Sequence, residues 1–274
     1  MSLDGSTSNC QLASYPGLSP YPSAVSYMDS LASVVACGGS SLADSTKCWA
    51  YDGASWRSLS DSTQSPCYVD APNVVMGDRW LVAGSQQNGD DRCSVDWTSE
   101  LFTGTEWVSG PIYPTGGDYF QNSCLAQVNS THTLLTGGGS WLYNWQSDTW
   151  TATSPLDHDR YGHGCATLAD QGVLVVGGFK SHGVDYSVEL YDAVSDTWSL
   201  QPQLPQSLVS YAPILLSEGE NILAVFYASS AVYERRGRDG SWTPLPGVRL
   251  PQLFDGYNFD KAVLVPDSFA LGCI

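Results

Sequence analysis

Basic residues are scarce in this chain. Its 274 residues hold 11 Lys and Arg against 28 Asp and Glu, a formal net charge of −17. Such a chain repels a phosphate backbone, so nucleic acid is not an expected partner, and anionic membrane surfaces are disfavoured for the same reason. Long apolar runs are also missing. None approaches the roughly 20 residues that a membrane-spanning helix requires. The opening MSLDGSTSN lacks the apolar core of a secretory signal, as it would if a cleaved signal had been replaced by a new start. No window carries the 3.6-residue apolar stripe of an amphipathic helix. Signatures of chemistry are sparse as well. There is no CxxC pair, no Cys/His zinc spacing, no GxSxG and no phosphate-cradling glycine loop. Of the 4 histidines only His158 and His163 are close, within DHDRYGH. No cofactor and no metal site is expected.

What is abundant is aromatic and turn-forming. The chain has 10 Trp, 15 Tyr, 27 Gly and 15 Pro. With 42% hydrophobic and 14% charged residues it is globular, and long enough for one large domain with a sizeable core. The stretch VLVVGGFKSHGVDYSVELYDAVSDTWSL runs four apolar residues into two glycines, then through a polar turn to Glu-Leu-Tyr-Asp and a Trp. Its pieces recur. Tryptophans that follow a turn and open a short strand stand at Trp56, Trp107, Trp150, Trp198 and Trp242, spaced by 51, 43, 48 and 44 residues. Counting back 46 from Trp56 reaches Cys10, in a stretch that reads like the others with Cys in place of Trp. The glycines recur in VVACGG, LLTGGG and LVVGG, weaken to LVAGS in the second repeat, vanish in LAVFY of the fifth and return as FALGCI at the end. Period-2 alternation and β-branched content make these segments strands. Each repeat reads as strand a, strand b ending in Gly-Gly, strand c carrying a Tyr or Phe, and strand d opened by Trp.

Four strands in roughly 40–50 residues make a propeller blade. The arrangement resembles the kelch family, carried most clearly by Gly177, Gly178, Tyr191 and Trp198, and by Gly38, Gly39, Tyr51 and Trp56 in the first repeat. The resemblance is to a secreted, invertebrate-like kelch protein. It implies an all-β, six-bladed β-propeller of kelch-type four-stranded blades, closed by the N-terminal strand. As one domain over 1–274, its blades fall at about 20–64, 65–115, 116–157, 158–205, 206–250, and 251–274 completed by 1–19.

The 8 cysteines are an even number, and Asn129-Ser130-Thr131 is a glycosylation sequon. Together with the acidic, lysine-poor composition they point to an extracellular, oxidising setting. Cys37 ends strand b and Cys48 starts strand c of the first repeat, antiparallel neighbours for which a bridge is natural. Cys67 and Cys93 share a face of the second repeat. Cys124 and Cys165 begin strand a of adjacent blades, where a bridge staples the blades if the inner strands come close enough. Cys10 and Cys273 either lock the closing blade or, since their register puts them at opposite sheet ends, serve as small buried hydrophobes.

A second series lies in the connections from strand d to strand a. Tyr21, Tyr68, Tyr119, Tyr161, Tyr211 and Tyr257 follow the repeat Trp (or Cys10) by 11 to 15 residues. Set at the start of the innermost strand, they would face the mouth of a propeller channel. Such a ring of amphipathic side chains suits recognition of a protein, a glycan or a small organic ligand, and equally suits packing between repeats. Asp118, Asp159, Arg160, His163, Asp255 and Asp260 lie around it and would add polar contacts. The expectation is a binding module acting as a monomer, without insertion into membranes. The alternatives are a secreted enzyme, oxidase-like, using the same mouth, and a structural matrix protein.

Overall fold

The computed structural model describes residues 15–17, 22–38, 46–63, 72–83, 87–88, 92–93, 99–112, 114, 123–168, 172–180, 183–205, 213–226, 231–237 and 240–246. These form five four-stranded antiparallel sheets, here called blades, and two short two-stranded ribbons. Blade 1 comprises β1 (Ala24–Met28), β2 (Ser33–Cys37), β3 (Cys48–Tyr51) and β4 (Trp56–Ser58). Blade 2 comprises β5 (Asn73–Met76), β6 (Arg79–Ala83), β9 (Ser99–Phe102) and β10 (Trp107–Ser109), with the ribbon β7 (Gln87–Asn88) and β8 (Arg92–Cys93) set into its b–c connection. Blade 3 comprises β11 (Cys124–Gln127), β12 (His132–Thr136), β13 (Ser140–Asn144) and β14 (Thr149–Ala152). Blade 4 comprises β15 (Gly164–Leu168), β16 (Gly172–Val176), β19 (Val188–Asp192) and β20 (Thr197–Gln201), with the ribbon β17 (Phe179–Lys180) and β18 (Gly183–Val184). Blade 5 comprises β21 (Ile214–Glu218), β22 (Asn221–Phe226), β23 (Ala231–Arg235) and β24 (Trp242–Pro244).

The blades fall into two compact units, blades 1 and 2 in one and blades 3 to 5 in the other. In the first unit β1 packs beside β5; in the second β15 packs beside both β11 and β21. First strands of successive blades thus face one another within each unit, as inner strands of propeller blades do.

The apolar run of β16 now has its reason. Every residue of the strand is buried. Val173 and Val175 pack with Ala126, Val128 and Leu134 of blade 3, whereas Leu174 and Val176 pack with Ile222, Ala224 and Phe226 of blade 5. Alternate side chains leave opposite faces of a strand. A strand sandwiched between two neighbours must therefore be apolar at every position instead of every second one.

The repeat tryptophans lie across from the strand-c aromatics. Tyr51 opposes Trp56, Phe102 opposes Trp107, Tyr143 opposes Trp150 and Tyr191 opposes Trp198. Their ring centroids are 5.1, 5.1, 5.0 and 5.0 Å apart. Such pairs add about 0.5–1.5 kcal/mol beyond area burial. In blade 5 Arg235 stands opposite Trp242 instead, which matches the weak repeat signal there.

The six-bladed propeller closed by the N-terminal strand is corrected. The described residues build five blades, and no sheet among them is closed by hydrogen bonds from another segment. The described N-terminal residues instead dock on blade 1. Tyr15 lies edge-on to Trp49 and Trp56, with centroids 5.0 and 5.4 Å away, and donates its hydroxyl to the Gly38 carbonyl at 2.9 Å. The sixth repeat rests on Cys10 in a Trp position, and a cysteine supplies no ring for the aromatic pair that characterises blades 1 to 4. The segments 1–14 and 247–274, which hold most of that repeat, lie outside the described residues.

Two disulfides are present among the described residues. Cys37–Cys48 joins directly opposed positions of β2 and β3 with Cα atoms 4.1 Å apart. Cys124–Cys165 links β11 to β15, the first strands of blades 3 and 4, with Cα atoms 6.1 Å apart, inside the usual disulfide range.

Candidate functional site

The connection entering blade 4 and its b–c connection meet on one face. Tyr161 N–H donates to the Phe179 carbonyl at 3.0 Å, and Phe179 N–H returns a bond to the Tyr161 carbonyl at 2.8 Å. The two rings stack, with centroids 6.0 Å apart and planes 27° from parallel. Asp185 N–H donates to the Gly178 carbonyl at 2.8 Å, which folds the β17–β18 ribbon back onto the blade. This approach explains the second glycine of the repeat. Gly178 has φ of 102°, and a Cβ there would stand 2.7 Å from the Tyr161 carbonyl oxygen. Only glycine adopts that backbone and leaves room for the neighbouring loop.

The same loop carries a compensated charge cluster. The Arg160 and Glu189 side chains are both 0% exposed and form an ion pair. Arg160 also donates to the carbonyls of Ser187 at 2.7 Å, His158 at 3.1 Å and Gly177 at 3.3 Å. Glu189 accepts the N–H groups of Asp157 at 2.8 Å and His158 at 3.2 Å. One buried pair thus ties the incoming loop to strand β19 and to the b–c loop. A buried charge pair is tolerable when its remaining donors and acceptors are satisfied. Lys180 sits 2.8 Å from Asp185 and 2.9 Å from His158 Nδ1. Burial opposes ionisation of Asp185, but Lys180, the Ser187 N–H and hydroxyl and the nearby Arg160 charge together hold its carboxyl below the usual range. His163 is buried, and its Nε2 lies 2.6 Å from the Thr136 hydroxyl. Burial first, then the Arg160 charge, push its pKa down to about 3, so the imidazole is neutral.

Of the residues singled out in the sequence, the structure therefore brings Tyr161, Arg160 and His163 into one loop. Tyr161 is half-buried on its face, Asp159 is exposed beside it, and the Arg160 and His163 side chains turn inward. Tyr21, Tyr68, Tyr119, Tyr211, Tyr257, Asp118, Asp255, Asp260, Cys67, Cys10 and Cys273 lie outside the described residues, as does the side chain of Cys93. Sequence reasoning missed Phe179, Lys180, Asp185, Ser187 and Glu189. A signal for Glu189 was available. Glu100 occupies the same place two residues before the strand-c aromatic of blade 2, is buried, and accepts the N–H of Thr63 at 2.9 Å. Thr63 and Asp157 each follow their repeat Trp by seven residues.

Asn129 has a structural use independent of any glycan. Its side-chain carbonyl accepts the N–H groups of Thr131 and His132, both at 2.9 Å, and so closes the turn between β11 and β12. Among the described residues no group of three or more His, Cys, Asp or Glu could hold a metal ion. Likewise no helix there is long and apolar enough to cross a membrane.

The family match falls on this same blade. Residues 159–205 match the family model described as the Kelch motif. The chain is similar to human Kelch-like protein 23, 30% identical over 103 residues, which cover 38% of this chain and 16% of that protein. The mouse Kelch-like protein 23 is 29% identical over the same length, again covering 38% of this chain and 16% of that protein. Human Kelch-like protein 35 is 33% identical over 111 residues, covering 39% of this chain and 18% of that protein. The chain thus spans less than a fifth of the length of these relatives. The extracellular, secreted assignment is corrected by this kinship: the relatives that the chain matches are Kelch-like proteins 23 and 35. Cysteine parity and a three-residue sequon are compositional signals, and the Asn129 triplet is accounted for by its turn. Homology to kelch-repeat proteins is what these matches support, carried by residues 159–205 and by about two fifths of the chain.

Proposed function

We propose that the chain is a kelch-type binding module that docks a protein segment on the loop face of blade 4, with the stacked Tyr161 and Phe179 as the apolar contact. The observation that carries this reading is the construction of that face. Two loops are sewn together by reciprocal backbone bonds and anchored by the Arg160–Glu189 pair, so the rings are presented with little ordering cost on binding. Side chains of both signs flank them. Lys180 is 36% exposed, and Asp159 is exposed, which suits a peptide carrying mixed charge. In this reading Tyr161 and Asp159 touch the ligand, while Arg160 and His163 support the loop. By repeat position alone the proposal extends to Tyr21, Tyr68, Tyr119, Tyr211 and Tyr257, and to Asp255. The module acts as a monomer, which sedimentation velocity checks.

A displayed random-peptide library selected on the full chain tests the reading, with a glycan array run in parallel. Peptides should be enriched, and Tyr161→Ala and Phe179→Ala should each weaken their binding about tenfold or more, the scale of an aromatic hot spot. Thermal unfolding of both variants controls for folding. Enriched peptides that bind the parent and both variants equally would place recognition elsewhere, and binding confined to glycans would replace the protein ligand.

A further inference from the structure

The two disulfides among the described residues sit in different surroundings. Cys37 and Cys48 are sealed in the core between blades 1 and 2, at 1% and 0% exposure. Cys124 and Cys165 are only half-buried, at the loop-face ends of β11 and β15. The second bridge also has a polar neighbour. The Thr136 hydroxyl lies 3.5 Å from Cys124 Sγ and, on its other side, 2.6 Å from His163 Nε2. Exchange of a disulfide requires access to one sulfur and stabilisation of the other as it leaves. Both requirements meet at the bridge that clamps blade 3 to blade 4.

We propose that Cys124–Cys165 is a thiol-exchange site, opened in the folded chain by a small peptide thiol of the glutathione class while Cys37–Cys48 stays closed. The reductant thiolate attacks Cys165 Sγ. The S–S bond breaks, a mixed disulfide forms on Cys165, and the electron pair leaves on Cys124 Sγ, where the Thr136 hydroxyl donates a hydrogen bond to it. A second reductant thiolate then attacks the reductant sulfur of the mixed disulfide and frees Cys165. Two reductant molecules each give one electron and depart as their own disulfide; the two protons they shed on ionising end on Cys124 and Cys165. The product is blades 3 and 4 without their covalent clamp.

The test is timed alkylation of the full chain in glutathione without denaturant, each cysteine being mapped by mass spectrometry. Cys124 and Cys165 should become labelled faster than Cys37 and Cys48, by about tenfold or more, because exchange depends on access, with a glutathione adduct trapped on Cys165 at early times. Equal rates at the two bridges, or earlier opening of Cys37–Cys48, overturn the proposal. Thr136→Val should slow opening of Cys124–Cys165 several-fold and leave Cys37–Cys48 unchanged; an unaltered rate removes the hydroxyl from the mechanism. The comparison of the two bridges in the parent chain stands without any variant.

Discussion

Arg160 and Glu189 show how much one buried pair can organise. Neither side chain reaches solvent, and between them they bind the backbone at Asp157, His158, Gly177 and Ser187. Removing one partner leaves the other charged and unpaired, which costs about 3–5 kcal/mol. Arg160→Met should lower unfolding stability by that order in urea titration, and adding Glu189→Leu should recover only the part due to the unpaired charge, since the Asp157 and His158 N–H groups then lose their acceptor. His163 makes a pH prediction with a definite sign. Its pKa is 6.5 in the unfolded chain and about 3 when folded, so the unfolded state takes up the proton first. The stability this neutral histidine confers is complete above pH 6.5 and is lost as pH falls from there toward 3, by up to about 1.4 kcal/mol per pH unit. Asp185 and Asp196, whose pKa values are also lowered, contribute stability that falls away only below the ordinary carboxylate value of 3.8. Urea midpoints between about pH 4.5 and 6.5 are therefore clear of these two carboxylates, and His163→Asn should flatten the slope in that window.

At the scale of an element, each blade is built by the same local grammar with different fillings. Strand c offers an aromatic to the Trp of strand d in blades 1 to 4, and Trp198 and Trp107 each also donate their indole N–H to a carbonyl of the preceding connection, Ser154 at 2.8 Å and Ser60 at 3.1 Å. The b–c glycines serve the loop above. Gly178→Ala forces a side chain toward the Tyr161 carbonyl and strains a backbone at φ of 102°. It should cost about 1–3 kcal/mol and open the Tyr161–Phe179 bridge, seen as faster hydrogen exchange at those two amides. Gly183 also has a positive φ, of 131°, but nothing lies within 4 Å of a Cβ there. Gly183→Ala should therefore pay the backbone term alone and leave exchange at Tyr161 and Phe179 unaltered.

At the scale of the whole molecule, covalent and apolar ties divide the work. Cys37–Cys48 spans 11 residues and Cys124–Cys165 spans 41. By chain entropy these closures contribute about 3 and about 4 kcal/mol respectively. Replacing each pair by alanines should therefore destabilise more for Cys124/Cys165 than for Cys37/Cys48, read as separate denaturant midpoints.

Residue order alone determined the strand-forming period, the glycine pairs and the Tyr or Phe that meets Trp, because these involve neighbours along the chain or across one hairpin. It made the kelch likeness of blade 4 legible, and it drew attention to Tyr161, Arg160 and His163. It could not set the number of blades, since a repeat position filled by Cys10 in place of Trp preserves spacing while losing the ring that packs. Nor could it show that Arg160 turns inward, because its partner Glu189 is 29 residues away. That Cys124 meets Cys165 was likewise decided only by tertiary packing, when the first strands of blades 3 and 4 came side by side. Pattern encodes what each segment is; which segments meet depends on how buried faces and charges are satisfied together.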